Sequence, residues 1–397
     1  MKKFRNNLII VHIMLPFEIR KIAGRYCVML LIYSSISADG LGQLPLNTGV
    51  RILSPRFFPG WQAQNVSYPF VLYDDTDKPG DYKMYYAGSS STQVNESLWD
   101  QWVTGVVTSA DAVSWTYPDN YEQILFARRF LEGDVVNPDE QATIFDSVFA
   151  IDAFVLKDGS VYKCWYTGWN GEIQHEGGGL ANKINFRIGY ATSPDGLNWT
   201  KVNGSAGAGS VLSTGNRGET DVLGAEDPYI IKENGSFRMW YVGRDGQSSR
   251  IHYAISSDGV RWTKKGVVMN LGGKGHPDEL GTQSPVVIKR SAQYELWYQG
   301  KSGSTPNHHV MRAVSPDGIN WKKVGEVILH PVAPEPSWPW SSITLTGNEK
   351  IFVGSILVQP DNSCQVFYAR QYTAGRKLTY GDLTAPLSYI YTERVNP

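Results

Sequence analysis

Residues 190–202 read YATSPDGLNWTKV, and nearly the same words return at 253–265 as YAISSDGVRWTKK and at 312–324 as RAVSPDGINWKKV. A worn copy, VTSADAVSWTYP, stands at 107–118. Upstream of each copy lies an aromatic run: YKMYYAG at 82, YKCWYTG at 162, FRMWYVG at 237 and YELWYQG at 294. Upstream again lies a second apolar run: YPFVLYD at 68, DAFVLKD at 152, DPYIIKE at 227 and SPVVIKR at 284. The runs are short, rich in β-branched and aromatic residues, and bounded by Asp, Gly and Asn, which is the grammar of strands and tight turns. A recurring unit of four such strands is a propeller blade.

Four blades carry this signature, and SSITLTGNEKIFVGSILV at 341 followed by CQVFYARQYTAGRKLTY keeps the strand pattern while losing the phrase. The expectation is an all-β, five-bladed propeller of four-stranded antiparallel blades. The blades start near residues 62, 146, 221, 278 and 338, within a single domain over 39–397. Terminal repeats are often atypical because ring closure mixes strands from both chain ends. GVRILSPRFF at 49 is a candidate closing strand.

In S-x-D-G-x-x-W, Asp and Gly suit a tight turn, the carboxylate accepting backbone N–H groups and Gly supplying a positive φ. The Trp then packs between blades. A site for chemistry is rarely built four times, so the phrase reads as scaffold. The same applies to Asp146, Asp221 and Asp278, which recur six residues before each inner strand motif and are expected to hold turns.

Composition bounds the rest. The 397 residues carry a net charge of −1, which gives no basic surface for nucleic acid, and 42% are apolar, enough for a large core. The three cysteines, Cys27, Cys164 and Cys364, make no disulfide framework, and Cys164 and Cys364 are expected as buried thiols in separate blades. No His and Cys stand at metal-ligand spacing, so neither a metal nor another cofactor is expected. Lys21 and Arg25 precede the apolar run YCVMLLIYSSISA, which ends in small residues. This reads as a signal peptide over 1–38, giving a secreted or periplasmic monomer with no membrane span once it is removed.

Function is expected where the repeats differ near the axis. Aligned on Pro (Ala in the second blade), the inner strands place Ser67–Tyr68, Ile151–Asp152, Glu226–Asp227 and Gln283–Ser284 at equivalent positions. Three acids on innermost strands are costly to bury without a purpose. Glycoside cleavage needs one protonated carboxyl for the leaving oxygen and a second, ionised one for water or the anomeric carbon. Arg244 and His276 are further polar candidates. Trp61, Trp169, Trp338 and Trp340 are candidate sugar platforms, Trp340 overhanging the mouth.

Over about residues 60–370 the blade motif and the acid–Pro pair resemble the five-bladed propeller glycosidases, glycoside hydrolase families 32, 43, 68 and 130. GAEDPYII at 224 is similar to the E-D-P-R segment of family 130, which points to Asp227 as the proton donor. It also resembles the Glu-x-Pro of families 32 and 43, which points to Glu226. Asp152 resembles the second-blade Asp that holds the sugar in family 32. Tyr68 stands where families 32 and 43 carry the nucleophile or base, and Tyr229 stands where the family 130 phosphorylases carry Arg. The resemblance implies a glycoside hydrolase with Asp152, Glu226 and Asp227 catalytic and Tyr68, Gln283, Ser284, Trp340 and Arg244 binding carbohydrate. A catalytically inactive sugar-binding propeller and a phosphorylase or transferase on the same fold remain open.

Overall fold

In a computed structural model, the described residues are 49–54, 65–74, 81–90, 101–118, 145–146, 149–170, 185–303, 308–329, 349–372 and 387–396. All regular elements among them are strands. The signal segment and Trp61, Trp338 and Trp340 lie outside the described residues.

The chain opens with β1 (Val50–Leu53) and then builds the first blade from β2 (Asn65–Asp74), β3 (Asp81–Ser90) and β4 (Gln101–Ser109). A bridge between Thr108 and Thr116 stands in for its fourth strand. The second blade is β5 (Phe149–Asp158), β6 (Val161–Trp169), β7 (Arg187–Ser193) and β8 (Thr200–Val202). The third is β9 (Gly224–Glu233), β10 (Ser236–Arg244), β11 (Ser249–Ser256) and β12 (Thr263–Met269), and the fourth is β13 (Gly281–Lys289), β14 (Tyr294–Lys301), β15 (His308–Ser315) and β16 (Lys322–Glu326). The fifth holds β17 (Glu349–Val358), β18 (Cys364–Tyr372) and β19 (Leu387–Val395), and its outer strand is β1, paired antiparallel with β19. The N-terminal run at 49 therefore closes the last blade, as its sequence suggested.

Each inner strand packs on the inner strand of the next blade, β2 on β5, β5 on β9, β9 on β13, β13 on β17 and β17 back on β2. Single parallel pairings reinforce these joints: Val103 with Ala150, Phe186 with Gly224, Ser249 with Gly281, and Ser388 with Asn65. The last of these ties the fifth blade to the first. Five blades thus form a closed ring.

The repeated phrase explains how neighbouring blades hold together. Asp195 Oδ1 accepts the N–H groups of Leu197 (2.8 Å) and Asn198 (2.7 Å), while Ser193 Oγ accepts Gly196 N–H (2.8 Å). Asp258 and Asp317 repeat the arrangement. The glycine's carbonyl then accepts a hydrogen bond from the preceding blade: Tyr85 Oη to Gly196 O, Trp165 Nε1 to Gly259 O and Trp240 Nε1 to Gly318 O, each 2.8 Å. Gly259 has φ +80°, and a Cβ there would lie 2.8 Å from Trp165 Cζ2. Only glycine meets both demands. The turn tryptophans pack on the same partners, Trp199 against Tyr85 at 6.0 Å and Trp262 against Trp165 at 6.2 Å between ring centroids.

Asp146, Asp221 and Asp278 are structural too. Each buried carboxylate accepts a tyrosine hydroxyl, from Tyr166 (2.7 Å), Tyr241 (2.9 Å) and Tyr298 (2.8 Å), and an outer-strand lysine, Lys201, Lys264 and Lys323 respectively. Cys164 and Cys364 are free and buried in separate blades.

Candidate active site

On every inner strand the pairing register slips by one residue. Between Ser67 (opposite Ala87) and Phe70 (opposite Tyr85), Tyr68 and Pro69 face a single partner residue. The same happens at Asp152–Ala153, Asp227–Pro228 and Ser284–Pro285, and the fifth blade slips at Gly354. Such bulges re-aim side chains, and proline is tolerated in them because it lacks the N–H a ladder needs. The leading residue of each of the first four bulges has a positive φ: Tyr68 49°, Asp152 53°, Asp227 49° and Ser284 48°. A left-handed conformation costs a residue with a Cβ about 1 kcal/mol or more, and such strain gathers at functional sites.

These four side chains converge, with Gly354, on a central pocket. Its floor is apolar: Phe70, Phe154 and Tyr229 meet with centroids 4.6 Å (Phe70–Phe154) and 4.7 Å (Phe154–Tyr229) apart. Its polar wall is acidic on the second and third blades. Ser284 Oγ donates to Asp227 Oδ2 at 3.0 Å, and Asp227 N–H donates to Thr167 Oγ1 at 3.0 Å. Asp152 lies within hydrogen-bonding reach of Asp227 and Thr167, and its Oδ1 is buried without a partner.

Burial, followed by the charges of Asp227 and Glu226, holds the Asp152 carboxyl well above the usual carboxylate range, which favours its protonated form. Glu226 is 4% exposed. Burial raises it, the paired Arg244 opposes, Asp227 adds, and the balance leaves it at about 7. Arg244 Nε donates to Glu226 Oε1, its stem running beside Gly224, where a Cβ would sit 3.6 Å from that of Arg244. Burial and then the three acids push the Tyr68 phenol well up from its ordinary value, which makes it a hydrogen-bond donor and not a phenolate nucleophile. Tyr68 rests against Phe352 of the fifth blade at 5.0 Å.

Of the residues singled out in the sequence, Tyr68, Asp152, Asp227 and Ser284 line the pocket, and Glu226 with Arg244 stands beside it as an ion pair. Gln283 is buried one residue above Ser284, facing Gln299, and does not line the pocket. Trp169 is no sugar platform, since it is 2% exposed and packed on Phe149 at 5.0 Å. His276 sits in the turn before Asp278, its N–H donating to Gly273 O. Thr167 and Gly354 were missed. Thr167 had a signal, being, with Gln299, one of two polar members of the set Ala87, Thr167, Val242, Gln299 that precedes the glycine of each aromatic strand.

The chain is similar to several known proteins. A family model described as beta-1,4-mannooligosaccharide phosphorylase, glycoside hydrolase family 130, matches residues 179–340. A glycosyl hydrolase from Bacteroides ovatus superposes with a TM-score of 0.57 at 16% identity, covering 88% of this chain and 95% of its own. A structure described by the statement that the GH130 family of mannoside phosphorylases contains glycoside hydrolases targeting beta-1,2 mannosidic linkages in Candida mannan superposes at 0.56, 16% identity, covering 89% and 96%. The fold is that of the five-bladed propeller glycosidases. A 1,2-beta-oligomannan phosphorylase of Thermoanaerobacter sp. (strain X514) is 37% identical over 87 residues, 21% of this chain and 27% of its own. An uncharacterized protein of Mycobacterium tuberculosis (strain ATCC 25618 / H37Rv) is 26% identical over 209 residues, 49% of this chain. The chain spans 61% of the length of that relative. The family 130 match takes in the third and fourth blades, and with them the Asp227–Pro228 bulge.

Proposed function

We propose that this protein cleaves β-mannosidic bonds by hydrolysis in the central pocket, with Asp152 as proton donor. The observation that carries the reading is the Asp152–Asp227 pair, two carboxyls from adjacent blades within hydrogen-bonding reach, Asp152 being held well above the usual carboxylate range, which favours its keeping a proton. Asp152 gives this proton to the glycosidic oxygen as the bond to the anomeric carbon breaks. Water attacks that carbon and surrenders a proton to Glu226, which Arg244 keeps ionisable despite its burial. Asp227, steadied by Ser284 and Thr167, and Tyr68 hold sugar hydroxyls. The mannoside class is taken from the names of the family 130 match and of the Thermoanaerobacter relative.

Hydrolysis is favoured over phosphorolysis because Tyr229 fills the floor where the phosphorylases resembled carry Arg, and because the pocket wall holds no cation among the described residues. The phosphorylase reading rests on the same two names. Incubation with β-1,2- and β-1,4-mannobiose, with and without phosphate, separates the two. Free mannose in phosphate-free buffer is expected, whereas mannose 1-phosphate formed only with phosphate overturns hydrolysis. Binding without turnover would make the protein a sugar-binding propeller. The run before Ala38 places the mature chain outside the cytoplasm in this reading, which N-terminal sequencing of exported protein checks.

A further inference from the structure

We infer that the side of the mouth between the fourth and fifth blades, built from Gln299, Lys301 and Lys350, binds the carboxylate of an acidic sugar next to the one being cleaved. The inference rests on the reading above that the pocket takes a glycan.

Many lysines of the ring have carboxylate partners, among them Lys157 on Asp74, Lys201 on Asp146, Lys232 on Asp158, Lys264 on Asp221, Lys289 on Glu233 and Lys323 on Asp278, whereas the exposed Lys265, Lys274 and Lys322 show none among the described residues. Lys301 and Lys350 have no ion-pair partner among the described residues. The end of β14 lies against the start of β17, because Gln299 Nε2 donates to Ile351 O at 2.7 Å. Lys301 follows Gln299 by two residues and Lys350 precedes Ile351, so two like charges meet at this seam. Burial and then the charge of Lys301 hold Lys350 below the ordinary lysine value. Uncompensated charge in a half-buried setting is unfavourable, and an anion relieves it. Beside it, Gln299 is 3% exposed and its Oε1 is buried without a partner, an acceptor ready for a hydroxyl.

The location selects the ligand. Lys301 faces Gly281, three residues above the pocket-lining Ser284, and Lys350 stands three residues above Val353, so the pair sits about 10 Å up the strands from the pocket wall. A phosphate that attacks the anomeric carbon must lie within about 3.5 Å of it, beside Asp152. Height above the floor therefore suits the neighbouring sugar unit. A carboxylate there is also kept from Asp152, Glu226 and Asp227 by that height, since these lie on the second and third blades near the pocket wall.

The test compares β-1,4-mannotriuronate with β-1,4-mannotriose, which share configuration and differ in carboxylate against hydroxymethyl, by titration calorimetry at low salt. The parent protein is expected to bind the acidic trimer at least about tenfold more tightly. That preference is expected to vanish in Lys301→Met/Lys350→Met and to persist in Lys301→Arg/Lys350→Arg and in Asp152→Asn. Equal binding of the two trimers, binding of neither, or a preference that survives the methionine pair overturns the inference. Displacement of the acidic trimer by inorganic phosphate, beyond that caused by chloride of equal ionic strength, overturns it in favour of a phosphate site. Equal trimer binding leaves β-mannobiose cleavage untouched. Acid preference without any cleavage defeats the reading of the pocket and spares this one.

Discussion

The outer turn of each blade and the inner bulge of each blade are both built from a short acidic motif, yet they behave in opposite ways. At the outer turns Asp195 and Asp258 stand at about 2. For Asp195 burial raises the carboxyl, but the N–H groups of Asn198 and Leu197 outweigh it; for Asp258 the N–H groups of Arg261 and Val260 act first. These aspartates are fully bonded and identical from blade to blade. At the inner bulges the equivalent positions hold Tyr68, Asp152, Asp227, Ser284 and Gly354, and Asp152 is pushed well up with one oxygen unpartnered. Repetition with satisfied hydrogen bonds marks the scaffold. Difference with unsatisfied, strained groups marks the place proposed for the chemistry.

The comparison can be broken at its inner end first. Asp152→Asn is expected to lower glycoside cleavage by about 10² to 10⁴-fold with the melting temperature kept within a few degrees, measured by reducing-sugar release and calorimetry. At the outer end, Gly259→Ala forces a Cβ into a positive-φ turn and against Trp165. It is expected to destabilise the ring by about 2 kcal/mol in urea unfolding while the folded fraction keeps its activity. Loss of activity without loss of stability would erase the distinction.

Smaller effects follow from protonation. Asp195 has a depressed carboxyl, so its contribution to stability is full above the unfolded value and is lost as pH falls toward about 2. Asp195→Asn is therefore expected to narrow the gap to the parent in thermal unfolding as pH drops from 5 to 2. Asp152 has the opposite sign. Its folded value is raised, so the carboxyl favours folding when protonated and costs stability once the pH climbs through that raised value. Asp152→Asn is expected to melt about 2 °C higher than the parent at pH 9 and level with it at pH 4. An unchanged difference across pH would contradict the buried proton.

Much of this was legible in the sequence because repetition separates fold from function without coordinates. The strand runs, the S-x-D-G-x-x-W turns and the β1 closing strand came from pattern alone. So did Tyr68, Asp152, Asp227 and Ser284, as unlike residues at like positions. What escaped was set by neighbours across blades. Trp169 looked like a loop aromatic until Phe149 covered it. Gly354 was hidden because the fifth blade lacks the Pro (Ala in the second blade) on which the others align. Gln283 aligned correctly, but the bulge begins one residue later and turns it toward Gln299. A bulge changes which face a side chain occupies, and a one-residue slip is invisible to periodicity.

The most direct test of the central claim is the initial rate of β-mannobiose cleavage by Asp152→Asn beside the parent, both in phosphate-free buffer at pH 6 to 7 and both shown folded by calorimetry. The account predicts free mannose from the parent and a rate at least about a hundredfold lower from the variant. Equal rates from the two proteins would contradict it, and would move the chemistry away from the strained inner bulges.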